Sequence, residues 1–135
     1  KKIKENLISN YEIGYISVEQ LPSVISEAKF GFVIRDDVIV NNVSTPTKLS
    51  TYLANGLVPI YSESLYDFHK ITSSFNFRLS VDSPMFFSKL KNFMINGIEP
   101  YAIYKEYSKL FDEYYSKDYH KKFLSHKIKE VIEHC

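Results

Sequence analysis

The sequence contains no tryptophan and a single cysteine, Cys135. One cysteine cannot form an internal disulfide, and it excludes both a disulfide framework and a cysteine-based metal site. The formal net charge of +1 lacks the basic excess that is typical of nucleic-acid-binding proteins. No apolar run is long enough to cross a bilayer, and the chain opens without a signal-peptide pattern. We therefore expect a cytoplasmic protein that binds no nucleic acid.

No linker rich in glycine, serine or proline divides the chain, and no internal repeat occurs, so residues 1–135 are expected to form a single domain. Short apolar runs alternate with helical patterns, which favours βαβ units and a parallel sheet. The predicted strands are Tyr11–Ile16, Phe30–Arg35, Leu57–Ser62 and a short one within Ile71–Ser80. The second of these is a continuous apolar run, which predicts a strand that is buried on both faces.

Two helices are predicted between these strands. The first carries an apolar stripe of Leu21, Val24, Ile25 and Ala28, with Ser17 and Gln20 as its capping box. The second runs from Pro46 to about Asn55, and Gly56 stands where a C-cap glycine belongs. A polar loop, Asp36 to Thr45, precedes it.

The last third of the sequence is helical in pattern. One helix is predicted after Ser83-Pro84, a second from Pro100, and a third from about Tyr119 to Glu133. The predicted fold class is α/β, with a Rossmann-like parallel sheet, flanking helices and a helical C-terminal tail.

The start of the second helix is a candidate anion site. Ligands of open α/β sheets bind at the carboxyl edge of the strands, and a strand is predicted to end at Arg35 shortly before this helix begins. Backbone N–H groups of Thr47, Lys48 and Leu49 are expected to lack helical partners and to face an anion. Ser44 or Thr45 can cap the helix or bind a phosphate. The Lys48 ammonium and the Arg35 guanidinium can add charge, so the residues predict a diphosphate site.

The same segment resembles a known family. The run Ser44-Thr45-Pro46-Thr47-Lys48-Leu49, followed by Tyr52-Leu53-Ala54-Asn55-Gly56-Leu57-Val58-Pro59-Ile60, is similar to the donor-binding region of GT-B glycosyltransferases, of the family 4 type that builds surface polysaccharides. The resemblance extends over roughly Tyr11 to Ser62 and implies part of the C-terminal, nucleotide-sugar-binding domain. It implies phosphate or sugar contacts from Thr45, Thr47 and Lys48, with Arg35 nearby.

Two positions depart from the family pattern. Thr51 stands where the family usually has the glutamate that contacts the ribose, and Val43 stands where many relatives have a second glutamate near the donor sugar. Thr51 therefore becomes the candidate for the ribose contact. The catalytic residues and the stereochemical course stay unassigned.

The resemblance also implies partners. It implies a nucleotide-sugar donor, a glycan or lipid-linked acceptor, and an N-terminal domain of the same enzyme that this chain lacks, so the chain alone is expected to be inactive. Neither a metal nor another cofactor is implied. A cytoplasmic location is expected, with peripheral contact at the inner face of a membrane as an option.

Plainer interpretations stay open. The segment from Ser44 to Gly56 can be a capped helix of an unrelated doubly wound domain, or of a sugar-nucleotide-binding module that has no catalytic activity. Asp36-Asp37 and Glu63 can be ordinary loop acids, and the four histidines show no metal-ligand spacing. The cluster His120-Lys121-Lys122 with Phe123 can touch anionic lipid or form a solvated helix face.

Overall fold

The structure is a computed structural model that describes residues 13–42 and 46–133. In chain order the elements are α1 (Leu21–Ile25), β1 (Phe30–Val33), α2 (Ile39–Asn42), α3 (Thr47–Ala54), β2 (Val58–Tyr61), α4 (Tyr66–Ile71), β3 (Leu79–Ser80), α5 (Phe86–Asn96), α6 (Pro100–Leu110), a π-helical segment (Phe111–Tyr115) and α7 (Lys117–Glu133). The predicted α/β class with a parallel sheet is confirmed.

The sheet has three parallel strands in the order β1-β2-β3. The central strand contains Pro59, which has no N–H to donate to a neighbouring strand. Val58 N–H donates to the Lys29 carbonyl at 3.0 Å, on the β1 side, while β3 pairs only with Ile60 and Tyr61. Pro59 therefore precedes the pairing with β3, and its missing N–H leaves no gap in that pairing.

The core lies around β2, whose four residues are all buried. Helix α3 contributes Leu49 and Leu53, α4 contributes Phe68, and α6 contributes Ile103, Tyr107 and Leu110. The Tyr107 hydroxyl faces two carbonyl oxygens, those of Phe77 at 2.7 Å and Leu57 at 3.1 Å. Burial raises the pKa of Tyr107 well above its usual range, so this buried hydroxyl keeps its proton and remains a donor.

The end of α3 matches the prediction from Gly56. Gly56 has a φ of 73°, a left-handed conformation that glycine adopts without steric cost. Its N–H donates to the Leu53 carbonyl at 3.1 Å, and Leu57 N–H donates to the Tyr52 carbonyl at 3.0 Å. These two bonds form a Schellman motif, and they turn the chain directly from α3 into β2.

The predicted strand Tyr11–Ile16 is wrong where the structure describes it. Tyr11 and Glu12 lie outside the described residues, while residues 13–16 form no strand and expose Ile13 and Tyr15 to solvent. The alternating apolar pattern predicts a strand only if a neighbour buries one face. Within the described residues nothing covers these side chains.

Helix α1 and strand β1 also differ from expectation. Helix α1 ends at Ile25, before Ala28, and buries none of its side chains. Its N-cap is Gln20 and has no side-chain cap, so the predicted capping box of Ser17 and Gln20 is wrong; Gln20 N–H donates to Ser17 Oγ at 3.3 Å in the turn before the helix. Because no described helix covers that side of β1, Phe32 is 62% exposed and the strand is buried on one face, not two.

Further corrections are local. The predicted polar loop from Asp36 contains α2, and α4 was not predicted. Helix α5 begins two residues after Pro84, and Glu99 caps α6 by accepting from Tyr101 N–H and Ala102 N–H. Helix α7 begins at Lys117 and has no buried residue. Over the described ranges, no helix is both long and apolar enough to cross a bilayer.

Candidate functional site

The carboxyl ends of β1 and β2 meet at one edge of the sheet, and a serine side chain ties them together. Ser62 Oγ accepts Arg35 N–H at 2.8 Å and donates to the Arg35 carbonyl at 2.9 Å. Ser64 Oγ donates to the same carbonyl at 3.0 Å. These bonds fix the backbone of Arg35, so its guanidinium projects from a defined point at this edge.

A polar cleft of about 820 Å³ opens at this edge. Its lining consists of Arg35, Asp36, Asp37, Ser62, Glu63, Ser64, Tyr66 and Asp82. Four carboxylates and one guanidinium give the cleft a negative charge, which disfavours a phosphate inside it. Carboxylates accept hydrogen bonds from hydroxyl groups, so the lining suits a ligand portion that is rich in hydroxyls.

The carboxylates of Glu63 and Asp82 are held by the ends of β2 and β3. Asp82 Oδ2 accepts Glu63 N–H at 2.7 Å, and Ser80 Oγ donates to Glu63 Oε1 at 2.8 Å. Ser80 Oγ in turn accepts Asp82 N–H at 3.1 Å. This closed set of bonds orients one wall of the cleft before any ligand arrives.

Behind this wall, three side chains form a network that the sequence did not predict. Arg78 Nη1 donates to Tyr61 Oη at 2.6 Å, and the same hydroxyl forms a hydrogen bond with His69 Nδ1 at 3.0 Å. Glu63 Oε1 lies 3.8 Å from the same Nδ1.

No local sequence motif predicts this network, since Tyr61, His69 and Arg78 are separated by 8 to 17 residues in the sequence. The available signals were a tyrosine at the end of the buried run Leu57–Ser62 and an arginine just before the short strand β3. Each is a polar side chain at a strand terminus, and only the fold shows that they meet.

Because of Tyr61, the free energy of unfolding is expected to change with pH in the alkaline range. Burial raises the pKa of Tyr61 to about 12, although the Arg78 guanidinium lowers it. Unfolded tyrosine has a pKa of about 10, so the unfolded state loses this proton first as the pH rises. The native state then binds more protons, and the free energy of unfolding falls between about pH 10 and pH 12. Two pKa units correspond to roughly 2–3 kcal/mol.

Urea unfolding measured from pH 8 to pH 12 tests this expectation. Tyr61→Phe removes the titrating hydroxyl, so its stability should decline less steeply above pH 10 than that of the wild type. Equal slopes for the two proteins would show that Tyr61 ionises in the native state as it does in the unfolded chain.

Helix α3 packs against β1 and β2, and because its C-terminal end turns directly into the start of β2, its N-terminal end is directed towards the carboxyl edge of the sheet. Pro46 is the N-cap in an extended conformation, and no side chain among the described residues caps the helix. The helix therefore begins at Thr47, one residue later than predicted. Leu49 N–H donates to the Pro46 carbonyl at 2.9 Å, so the expectation that this N–H is unpaired is wrong. Within the described residues, the N–H groups of Thr47 and Lys48 have no hydrogen-bond acceptor.

The predicted site residues are thus only partly brought together. Arg35 lines the cleft, whereas none of Thr47, Lys48 and Thr51 belongs to its described lining. Thr47 and Lys48 are exposed at the start of α3, and Thr51 Oγ1 donates to the Thr47 carbonyl at 3.1 Å inside the helix. Ser44, Thr45 and Val43 lie outside the described residues.

A second groove, of about 720 Å³, lies at the opposite edge of the sheet, where Lys29 precedes β1 and Gly56 precedes β2. Ile98, Ile103 and Tyr104 contribute much of its apolar lining. None of the predicted ligand-binding residues that the structure describes belongs to it. Nowhere among the described residues are three histidine or acidic side chains placed to hold a metal ion.

Comparisons with protein-family models, curated proteins and solved structures find no match for this chain.

Proposed function

We propose that this chain is the donor-binding part of a glycosyltransferase and holds a nucleotide-sugar at the carboxyl edge of its sheet. The observation that carries the proposal is the start of α3. It follows a parallel strand, has no cap from a described side chain, and exposes Lys48 beside N–H groups that have no described acceptor. Such a helix start attracts anions through its N–H groups and its dipole. The resemblance of this segment to GT-B donor sites supports a diphosphate as the anion.

The charges around the site suggest how the donor is oriented. The α3 start offers donors and a cation, whereas the cleft offers four carboxylates and the Arg35 guanidinium. A diphosphate is therefore more stable at α3, and a hydroxyl-rich group, either the sugar or the ribose, is more stable in the cleft. Arg35 can serve both regions, since it lines the cleft and its guanidinium can also contact a phosphate at the mouth of the cleft.

This arrangement has a chemical consequence for sugar transfer. The bond that breaks joins the anomeric carbon to the diphosphate, and negative charge grows on the diphosphate as it leaves. The Lys48 ammonium and the positive end of the α3 dipole stabilise that charge more strongly as it develops. In this proposal the attacking hydroxyl belongs to the glycan or lipid-linked acceptor, and the resemblance to GT-B enzymes implies that a separate N-terminal domain binds this acceptor.

The experiment is a titration of the isotope-labelled chain with UDP-, GDP-, CMP- and dTDP-sugars, followed by NMR. The proposal predicts that at least one donor shifts the amide signals of Thr47 and Lys48 together with that of Arg35. A folded chain whose spectrum responds to none of the donors would remove the support for a donor site in these residues.

One observation favours a second candidate, a sugar-nucleotide-binding module without catalysis. Thr51 stands where relatives have a ribose-binding glutamate, and its hydroxyl already donates to the Thr47 carbonyl within the helix. A missing ribose contact weakens the placement of the donor for reaction more than it weakens diphosphate binding. Donor binding by the full-length protein without transfer or hydrolysis would select this candidate.

A further inference from the structure

Helix α7 presents an apolar surface that the rest of the described chain does not cover. None of its residues is buried, and its packing partner is the π-helical segment that precedes it. Four of its aliphatic side chains are between 55% and 69% exposed: Leu124, Ile128, Val131 and Ile132. Exposed apolar residues mark an interaction surface when they form a contiguous patch, whereas scattered ones do not.

These four residues share one side of the helix. At about 100° per residue, Leu124, Ile128 and Val131 fall within roughly 60° of one another, and Ile132 borders them. We call this set the α7 stripe. The chain also forms a shallow groove along it, lined by Lys127, Ile128, Val131 and Ile132.

The charges of α7 are distributed unevenly around the stripe. Lys117 and Lys121 lie on the same side of the helix as the stripe and nearer to its start, since they precede Leu124 by seven and three residues. The acidic residues of the helix point away from it, at about 90° or more from its centre: Asp118, Glu130 and Glu133. Glu130 is also paired with Lys127, whose Nζ lies 2.6 Å away, and His126 Nε2 lies 3.1 Å from its other carboxylate oxygen.

We propose that α7 lies in the headgroup region of an anionic lipid bilayer, with the stripe inserted and Lys117 and Lys121 over the headgroups. An aliphatic face continued by lysines, with the acids on the far side, is the pattern of an interfacial amphipathic helix. Lysine stems lie along the apolar boundary while their ammonium groups stay at the polar surface. This proposal is independent of the function proposed for the carboxyl edge.

A second copy of the chain fits this surface less well. In a parallel pair of α7 helices, Lys117 and Lys121 would meet the same lysines of the partner helix, and like charges at such positions are destabilising. The aliphatic part also covers only about two turns, which is short for a stable coiled coil. An anionic surface accommodates both the lysines and the aliphatic residues.

The cluster for which the sequence suggested lipid contact coincides only in part with the stripe. The predicted cluster His120-Lys121-Lys122 with Phe123 spans both sides of the helix. The Phe123 ring stacks on Tyr119, with centroids 6.4 Å apart, away from the stripe. At about 100° per residue, His120 and Lys121 lie on the side that carries the stripe, whereas Lys122 and Phe123 do not.

Co-sedimentation with vesicles tests the proposal through a charge swap. The chain should bind vesicles of phosphatidylcholine with 30% phosphatidylglycerol much better than vesicles of phosphatidylcholine alone. The variant Lys117→Glu/Lys121→Glu should lower the partition coefficient at least 25-fold, because each lysine near an anionic surface contributes about fivefold. The matched control Lys122→Glu/Lys129→Glu changes the net charge equally, but on the other side of the helix, and should lower it by less than threefold.

Insertion is tested separately, since the chain contains no tryptophan. A single indole introduced by Ile128→Trp should be quenched by brominated lipids in anionic vesicles, whereas one introduced by His126→Trp, on the opposite side, should not. Circular dichroism checks that α7 stays helical in each variant. Absence of vesicle binding, an equal loss in both charge variants, or equal quenching at both positions would overturn the proposal. So would a dimer in sedimentation that Ile128→Asn dissolves while lipid binding is absent.

Discussion

Lys48→Ala should weaken the binding of the preferred nucleotide-sugar at least tenfold. The Lys48 ammonium is exposed at the first turn of α3, where it can pair with the same diphosphate that the helix N–H groups bind. Hydrogen bonds to charged groups contribute about 1.5–3 kcal/mol, and 1.4 kcal/mol corresponds to a tenfold change in affinity. Isothermal titration calorimetry on the folded variant measures the change directly.

Lys70→Ala is the matched control for this prediction. Lys70 is also an exposed helical lysine, but it lies in the last turn of α4, away from the start of α3. Its removal changes the net charge equally and should leave the affinity within about twofold. If both variants lost the same affinity, the effect would come from overall charge and not from a diphosphate site at α3.

Phe68→Ala should destabilise the protein by about 3–5 kcal/mol, the usual cost of removing a buried aromatic ring. Phe68 is fully buried between α4 and β2, and its ring meets that of Tyr61 edge to face, with centroids 4.9 Å apart. A domain of this size is stable by only about 5–15 kcal/mol, so the variant should unfold at a much lower urea concentration. Because Phe68 supports Tyr61, the network with His69 and Arg78 should loosen as well.

Tyr66→Ala, on the same helix, provides the comparison. The Tyr66 side chain is exposed, so its removal should change the free energy of unfolding by no more than about 0.5 kcal/mol. Urea unfolding followed by circular dichroism gives both values. Similar losses at the two positions would mean that α4 does not pack on β2 as described.

The segments that the sequence predicted well carry local signals. The run Phe30–Arg35, the helix around Leu49 and Leu53, and the turn at Gly56 each follow from periodicity or from the special backbone freedom of glycine. These signals act within one or two turns of chain, and tertiary packing did not override them. The structure therefore confirms β1, α3 and β2 to within about two residues.

The segments that failed depend on distant contacts. Residues 13–16 show a strand pattern but have no described neighbour to bury them, and Phe32 is exposed for the same reason. In the candidate site, Ser62 is 27 residues from Arg35, and Arg78 is 17 residues from Tyr61. Local spacing cannot predict pairs that only the parallel sheet brings together. Conversely, the sequence predicted that Lys48 and Arg35 share one diphosphate site, but of these two residues only Arg35 lines the described cleft.

The most direct measurement is the NMR titration of the labelled chain with the four classes of nucleotide-sugar. A donor site at the carboxyl edge predicts that one donor perturbs the amides of Thr47, Lys48 and Arg35, while those of Gly97 and Ile98, in the groove at the opposite edge, stay unchanged. Perturbations confined to the opposite groove, or none with any donor, would contradict the site proposed here.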